Sequence, residues 1–139
     1  LGQIQSRYQE AAMALQISGG PETGNQVVDC AMFGSALLLR KLDNRAELAE
    51  FVNSVLGDLI KYDRQHHSDL LATLTTYSRF NCNNVRVAAE LHIHANTLSY
   101  RLSRIEEITS RTLGRTDDWL DFQLAIRLLQ IYPELSDAA

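Results

Sequence analysis

Two short helical stretches, Val85 to Leu91 and Ala95 to about Thr109, are separated only by His92-Ile93-His94, and this spacing constrains the chain more than any other feature. So tight a connection cannot return the chain antiparallel to itself, and the two helices must cross at a large angle. The crossing needs small side chains where the helices approach. Ala88 and Ala89 supply them, while Val87, Leu91, Ile93, Leu98 and Leu102 furnish a shared core. A pair crossing in this way has the helix-turn-helix geometry. His92 stands where such turns often hold glycine; histidine tolerates a left-handed backbone less well than glycine, though better than a β-branched residue.

The rest of the chain reads as helices around this pair. Ile4, Tyr8, Ala11, Ala12 and Leu15 recur at helical spacing, and Gly19-Gly20-Pro21 ends that helix. Gln26 to Phe33 is brief, partly β-branched and bounded by turn residues, which suits one short strand in the N-terminal third. Ser35 to Leu42 suits a short helix. Asn44 and Glu47 fit a capping box that opens a helix with an apolar stripe from Leu48 to Ile60, which Gly57 is expected to break or kink. A helix from His67 to Arg79 follows, stopped by Asn81-Cys82-Asn83-Asn84, and Thr116-Asp117-Asp118 caps a last helix from Trp119 to Ile131. The expected fold is mainly α, a helical bundle containing a Fis-like helix-turn-helix.

With 45% hydrophobic residues and only two prolines in 139 residues, the chain has the composition of a compact globular protein. Apolar runs such as Ala36 to Leu39 are far short of the roughly 20 residues of a membrane-spanning helix. Cys30 and Cys82 make neither a disulfide framework nor a zinc pattern, and no leader peptide opens the chain, so a reducing cytoplasm is the expected compartment. Leu1 lies in a helix-like run without a cap signal, which suggests a piece of a longer protein.

The formal net charge of −4 argues against a surface that binds nucleic acid everywhere. Its distribution is more informative. Residues 84 to 115 carry Arg86, Arg101, Arg104, Arg111 and Arg115 against Glu90, Glu106 and Glu107, while the segments 1 to 69 and 116 to 139 are both net acidic. On a wheel of about 100° per residue, Leu98, Leu102 and Ile105 face inward. Asn96, Tyr100 and Ser103 lie opposite, with Arg104 nearby and Thr97, Ser99 and Arg101 on the flanks. Asparagine can pair with adenine, arginine with guanine or phosphate, and hydroxyls with phosphate oxygens. The candidate contacts with double-stranded DNA are therefore Arg86, His94, Asn96, Thr97, Ser99, Tyr100, Arg101 and Arg104. Three of these have alternatives: Arg101 could pair with Glu90 or a later glutamate, His94 could cap the helix or meet a phosphate, and Tyr100 could be core, although the wheel favours its exposure.

Leu70-Leu71-Ala72-Thr73-Leu74, together with the run from Val87-Ala88-Ala89-Glu90-Leu91 through His94-Ala95-Asn96-Thr97-Leu98 to Tyr100-Arg101-Leu102-Ser103-Arg104-Ile105-Glu106-Glu107, resembles the C-terminal helix-turn-helix domain of the PucR/CdaR family of bacterial transcription regulators. Arg7 to Ala11 and Phe33 to Leu39 resemble the end of the degenerate cyclase-like domain that precedes it in that family. The resemblance implies that residues 1–43 are a remnant of an upstream regulatory domain, 44–66 connecting helices and 67–139 the DNA-binding domain. It also implies nucleoid-associated action, with a small effector molecule bound by domains further upstream. Two positions depart from the family pattern. Ala95 stands where a basic residue often precedes the asparagine, and Ser110 where a glycine often follows.

No cofactor or metal is expected. Adjacent His66 and His67 point about 100° apart on a helix, and His92 and His94 have no third ligand close in sequence. No phosphate loop, paired-carboxylate motif or nucleotide fingerprint supports an enzyme. The competing reading is a helical protein-interaction or dimerisation domain that never touches nucleic acid, which the net charge favours. Reading two half-sites about 34 Å apart would need a homodimer or larger assembly, with the Leu48 to Ile60 stripe as a candidate interface unless it packs within its own chain.

Overall fold

The computed structural model describes residues 34–138. The strand expected at Gln26 to Phe33 and the helix expected before Gly19 lie outside the described residues. Six α-helices follow in order: α1 Gly34–Arg40, α2 Arg45–His66, α3 Leu70–Arg79, α4 Asn84–Glu90, α5 Ala95–Thr109 and α6 Thr116–Ile131, with a 3-10 helix at Pro133–Ala138. No strand occurs among the described residues.

Helix α2 starts where the sequence indicates, with Asn44 Oδ1 accepting from the Glu47 amide at 3.3 Å. It then runs unbroken through Gly57, contrary to the expected break, because the apolar stripe on either side buries Val52, Val55, Leu56, Leu59 and Ile60 continuously. That packing outweighs the cost of about 1 kcal/mol of one glycine in a helix. The stripe is covered within the chain. Val55, Leu56, Leu59 and Ile60 meet Leu70 and Leu74 of α3, Ile105 of α5 and Phe122, Ala125 and Ile126 of α6. Leu48 and Val52 meet Leu128, Ile131, Tyr132 and Leu135. The candidate self-association face is thus the central wall of the core.

His67 ends α2 in a left-handed conformation (φ 51°), which delays α3 to Leu70 rather than the expected His67. The cap of α3 comes from another helix. Asp63 of α2 accepts from the Leu70 and Leu71 amides at 3.0 and 2.9 Å, whereas the adjacent Asp69 makes no side-chain cap bond. Similarly, α6 begins at Thr116, earlier than expected, and two of its acids serve the preceding loop. Asp118 accepts from the Thr112 amide at 2.9 Å, and Asp121 pairs with Arg111 at 2.7 Å. At the far end Arg45 lies 3.6 Å over the Tyr132 ring and pairs with Glu134, tying the C-terminal turn to the start of α2.

The turns on either side of α4 are built alike. Asn81 and His92 adopt φ of 51° and 52°. Cys82 N–H donates to Tyr77 O and Asn81 N–H to Ser78 O, as Ile93 N–H does to Ala88 O and His92 N–H to Ala89 O. Both are therefore Schellman caps, which satisfy the last carbonyls of the helix before them. Ser110, at the position noted as often glycine in the resembled pattern, also takes the left-handed conformation (φ 54°). No described helix is long and apolar enough to cross a membrane.

Candidate nucleic-acid interface

The helix pair forms close to the expected boundaries: α4 runs one residue earlier than the expected Val85 to Leu91, and α5 begins at Ala95 as expected. Val87, Ala88 and Leu98 are buried between them, with Tyr77, Phe80, Leu91, Ile93 and Leu102 around the edge. Asn83 caps α4 by accepting from the Arg86 amide at 3.1 Å. His94 caps α5, its Nδ1 accepting from the Asn96 amide at 3.1 Å. A ring nitrogen that accepts carries no proton, so the neutral His94 holds its proton on Nε2.

Asn96, Thr97, Ser99, Tyr100 and Ser103 are all exposed, and Tyr100 is 68% exposed, a large value for an aromatic side chain. The first turn of α5 contains no acid. Nearby carboxylates are engaged elsewhere: Glu90 with Arg79 at 2.6 Å, Glu106 with the Leu113 amide at 2.7 Å and Glu107 with Arg104. Arg86 is exposed, its guanidinium 4.9 Å from the Phe80 ring centroid, and Arg79 stands at the same distance from that ring. Sequence reasoning missed the Phe80 arrangement because it brings together the end of α3 and the start of α4 across a turn of two left-handed residues.

Two of the expected contacts turn inward. Arg101 is half-buried and donates from Nη1 to Thr73 Oγ1 of α3 at 3.0 Å, so it pairs with neither Glu90 nor a later glutamate. Arg104 is half-buried over the Tyr62 ring of α2, 5.0 Å from its centroid. Hydrogen bonding to Tyr62, then to Glu107, raises its pKa above the usual guanidinium value. Long side chains lie along apolar neighbours when these stand beside their stems, and a wheel of one helix contains no information about α2 and α3. The structure thus brings Asn96, Thr97, Ser99, Tyr100 and His94 together on one outward surface, with Arg86 exposed on the crossing helix, and sets Arg101 and Arg104 behind it. Among the described residues, no group of three or more His, Cys, Asp or Glu is placed to hold a metal ion.

Residues 70–128, which run from α3 to the last turns of α6, match the PucR C-terminal helix-turn-helix domain. Over 128 residues the chain is 33% identical to the proline-responsive transcriptional activator PutR of Bacillus subtilis, an alignment covering 89% of this chain and 31% of that protein. It is 32% identical over 85 residues to the purine catabolism regulatory protein of the same organism, covering 61% of this chain and 16% of that one. With the carbohydrate diacid regulator of Escherichia coli it shares 42% identity over 77 residues, 55% of this chain and 20% of the regulator. The chain therefore spans about a third or less of the curated relatives it matches. No solved structure matches it significantly. Residues 70–128, the segment that contains both helices of the pair, are thus a PucR C-terminal helix-turn-helix domain.

Proposed function

We propose that this chain is the sequence-specific DNA-binding module of a transcription regulator, with α5 lying in the major groove and α4 crossing the backbone. The observation that carries this reading is the outward face of α5. Its first turns present Asn96, Thr97, Ser99 and Tyr100 to solvent with no acid among them, at the end of the helix that enters the groove in this motif. Asn96 suits adenine; the hydroxyls of Thr97, Ser99 and Tyr100 suit phosphate and base edges. His94 can donate from Nε2 to a phosphate while Nδ1 keeps its cap, and exposed Arg86 supplies positive charge beside it.

The wider context is proposed with it. Residues 1–43 belong to an upstream regulatory domain, and the regulator acts at the nucleoid as a homodimer or larger assembly, each copy reading one half-site. A small molecule bound upstream would control it. The relatives' names point to proline, purine catabolism and carbohydrate diacids in turn, so they support an effector of some kind and no single class.

Titrating the chain with duplex DNA across a range of salt tests this reading. Binding should be measurable at low salt and weaken as salt rises, because basic contacts displace condensed counterions. With Arg101 and Arg104 turned inward, the slope per copy should be shallow, on the order of one or two counterions. No binding at low salt would remove the DNA reading and favour the protein-interaction alternative.

A further inference from the structure

Arg101 has the charge of a phosphate contact, but its bonding points elsewhere. Thr73, which receives its Nη1 hydrogen bond at 3.0 Å, is the one buried polar side chain among the described residues, 0% exposed. A threonine hydroxyl has one proton to give, and Thr73 gives it to Asp69 O at 2.7 Å. Its lone pairs therefore face Arg101, and only a donor from α5 uses them. The bonds run on from there. Asp69 opens α3, whose first amides are held by Asp63 of α2, the helix that lines the main core.

The apolar contacts of α5 are of a different kind. Leu98, Leu102 and Ile105 bury apolar surface, and apolar burial has no direction, so it tolerates small rotations of the helix about its axis. A hydrogen bond with a preferred angle above about 150° does not. Tyr100 adjoins Arg101 in sequence, and Asn96 and Ser103 stand on the same outward side as Tyr100. Holding Arg101 against α3 thereby holds the angle at which these side chains leave the domain.

We propose that Arg101 and Thr73 are positioning residues, which set the rotation of α5 and so decide which side chains meet the bases, and that Arg101 neutralises no phosphate. The proposal rests on the DNA-binding reading. To test it, a duplex is selected from a random-sequence pool by the 139-residue chain. Affinity for that duplex and for a generic one is then measured over a salt series. Thr73→Val and Arg101→Gln should each lower the preference for the selected duplex about tenfold, near the low end of what one base contact supplies. The double variant should lose no more than either single one, Thr73→Ser should keep the preference, and the salt slope should stay constant throughout. An Arg101→Gln protein that binds both duplexes equally more weakly, with the slope reduced by about one, would make Arg101 a phosphate contact and overturn the proposal. Unchanged preference in both single variants would overturn it as well. A double-mutant cycle on urea unfolding gives a readout without DNA: Thr73 and Arg101 should be coupled, and independence would remove the contact itself. If the wild-type chain binds neither duplex at low salt, the DNA reading fails first, and coupling in unfolding would then reduce the pair to a stabilising contact.

Discussion

Helix α2 and the crossing pair α4–α5 are held in different ways. Along α2, Leu48, Val52, Val55, Leu56, Gly57, Leu59 and Ile60 are buried, and the side chains around them come from α3, α5, α6 and the C-terminal turn. Helix α4 buries only Val87 and Ala88, and α5 only Leu98 and Ile105. A helix that presents one face to a duplex cannot bury that face, so its apolar contribution is small and its placement depends on what lies behind it. That support is largely directional: caps at Asn83 and His94, Schellman turns at Asn81 and His92, and the bond from Arg101 to Thr73.

The largest expected effect breaks the comparison directly. Leu59→Ala and Leu98→Ala remove the same atoms from fully buried positions in the two regions, and such truncations cost about 2 to 5 kcal/mol. Leu59→Ala should lie near the top of that range and Leu98→Ala near the bottom, since the small cluster between α4 and α5 can collapse toward solvent. Urea denaturation gives both values. The reverse order would mean that the crossing pair supports the core.

Asn96→Ala should cost about 1 to 3 kcal/mol on a selected duplex and much less on generic DNA, while the melting temperature stays near that of the wild type. Equal loss on both duplexes would place the groove against another surface. At His92, φ 52° makes a β-branched substitution costly: His92→Val should destabilise the domain by about 1 to 2 kcal/mol, measured by thermal unfolding.

A smaller effect of opposite sign is expected at Gly57. An added Cβ would meet Asn53 Oδ1, the tip of an exposed, flexible side chain that can swing away. Gly57→Ala should therefore stabilise the protein by about 0.5 to 1 kcal/mol, the helix-propensity gain. The smallest effect concerns alkaline pH. Burial, followed by the neighbouring Cys82, raises the Tyr77 pKa, so the fold favours the neutral phenol. That contribution is complete below the usual tyrosine value of about 10 and is lost as pH rises through the raised one. Tyr77→Phe should flatten the resulting fall in stability, and an unchanged alkaline limb would place its cause at another group.

Local signals were legible wherever the cause lay within a few residues. The three-residue connector implied the helix pair, Asn44 announced its helix, and the wheel put Asn96 and Tyr100 outward, as the structure does. Signals failed where a group outside the helix itself intervened. The helix expected from His67 starts at Leu70, where Asp63 of α2 caps its amides, and Asp118 reached back to Thr112 instead of capping its own helix.

The sequence by itself determined the helices, their order and the crossing, because periodicity, capping and connector length act over one or two turns of chain. Only the tertiary structure decided the state of the charges and of the long helix. Whether Gly57 interrupts α2 depends on the core packed against it, and whether Arg101 and Arg104 face a duplex depends on Thr73 and Tyr62, 28 and 42 residues away in the chain. A long flexible side chain takes its direction from the partner it can reach, and that partner is specified only when the helices are assembled.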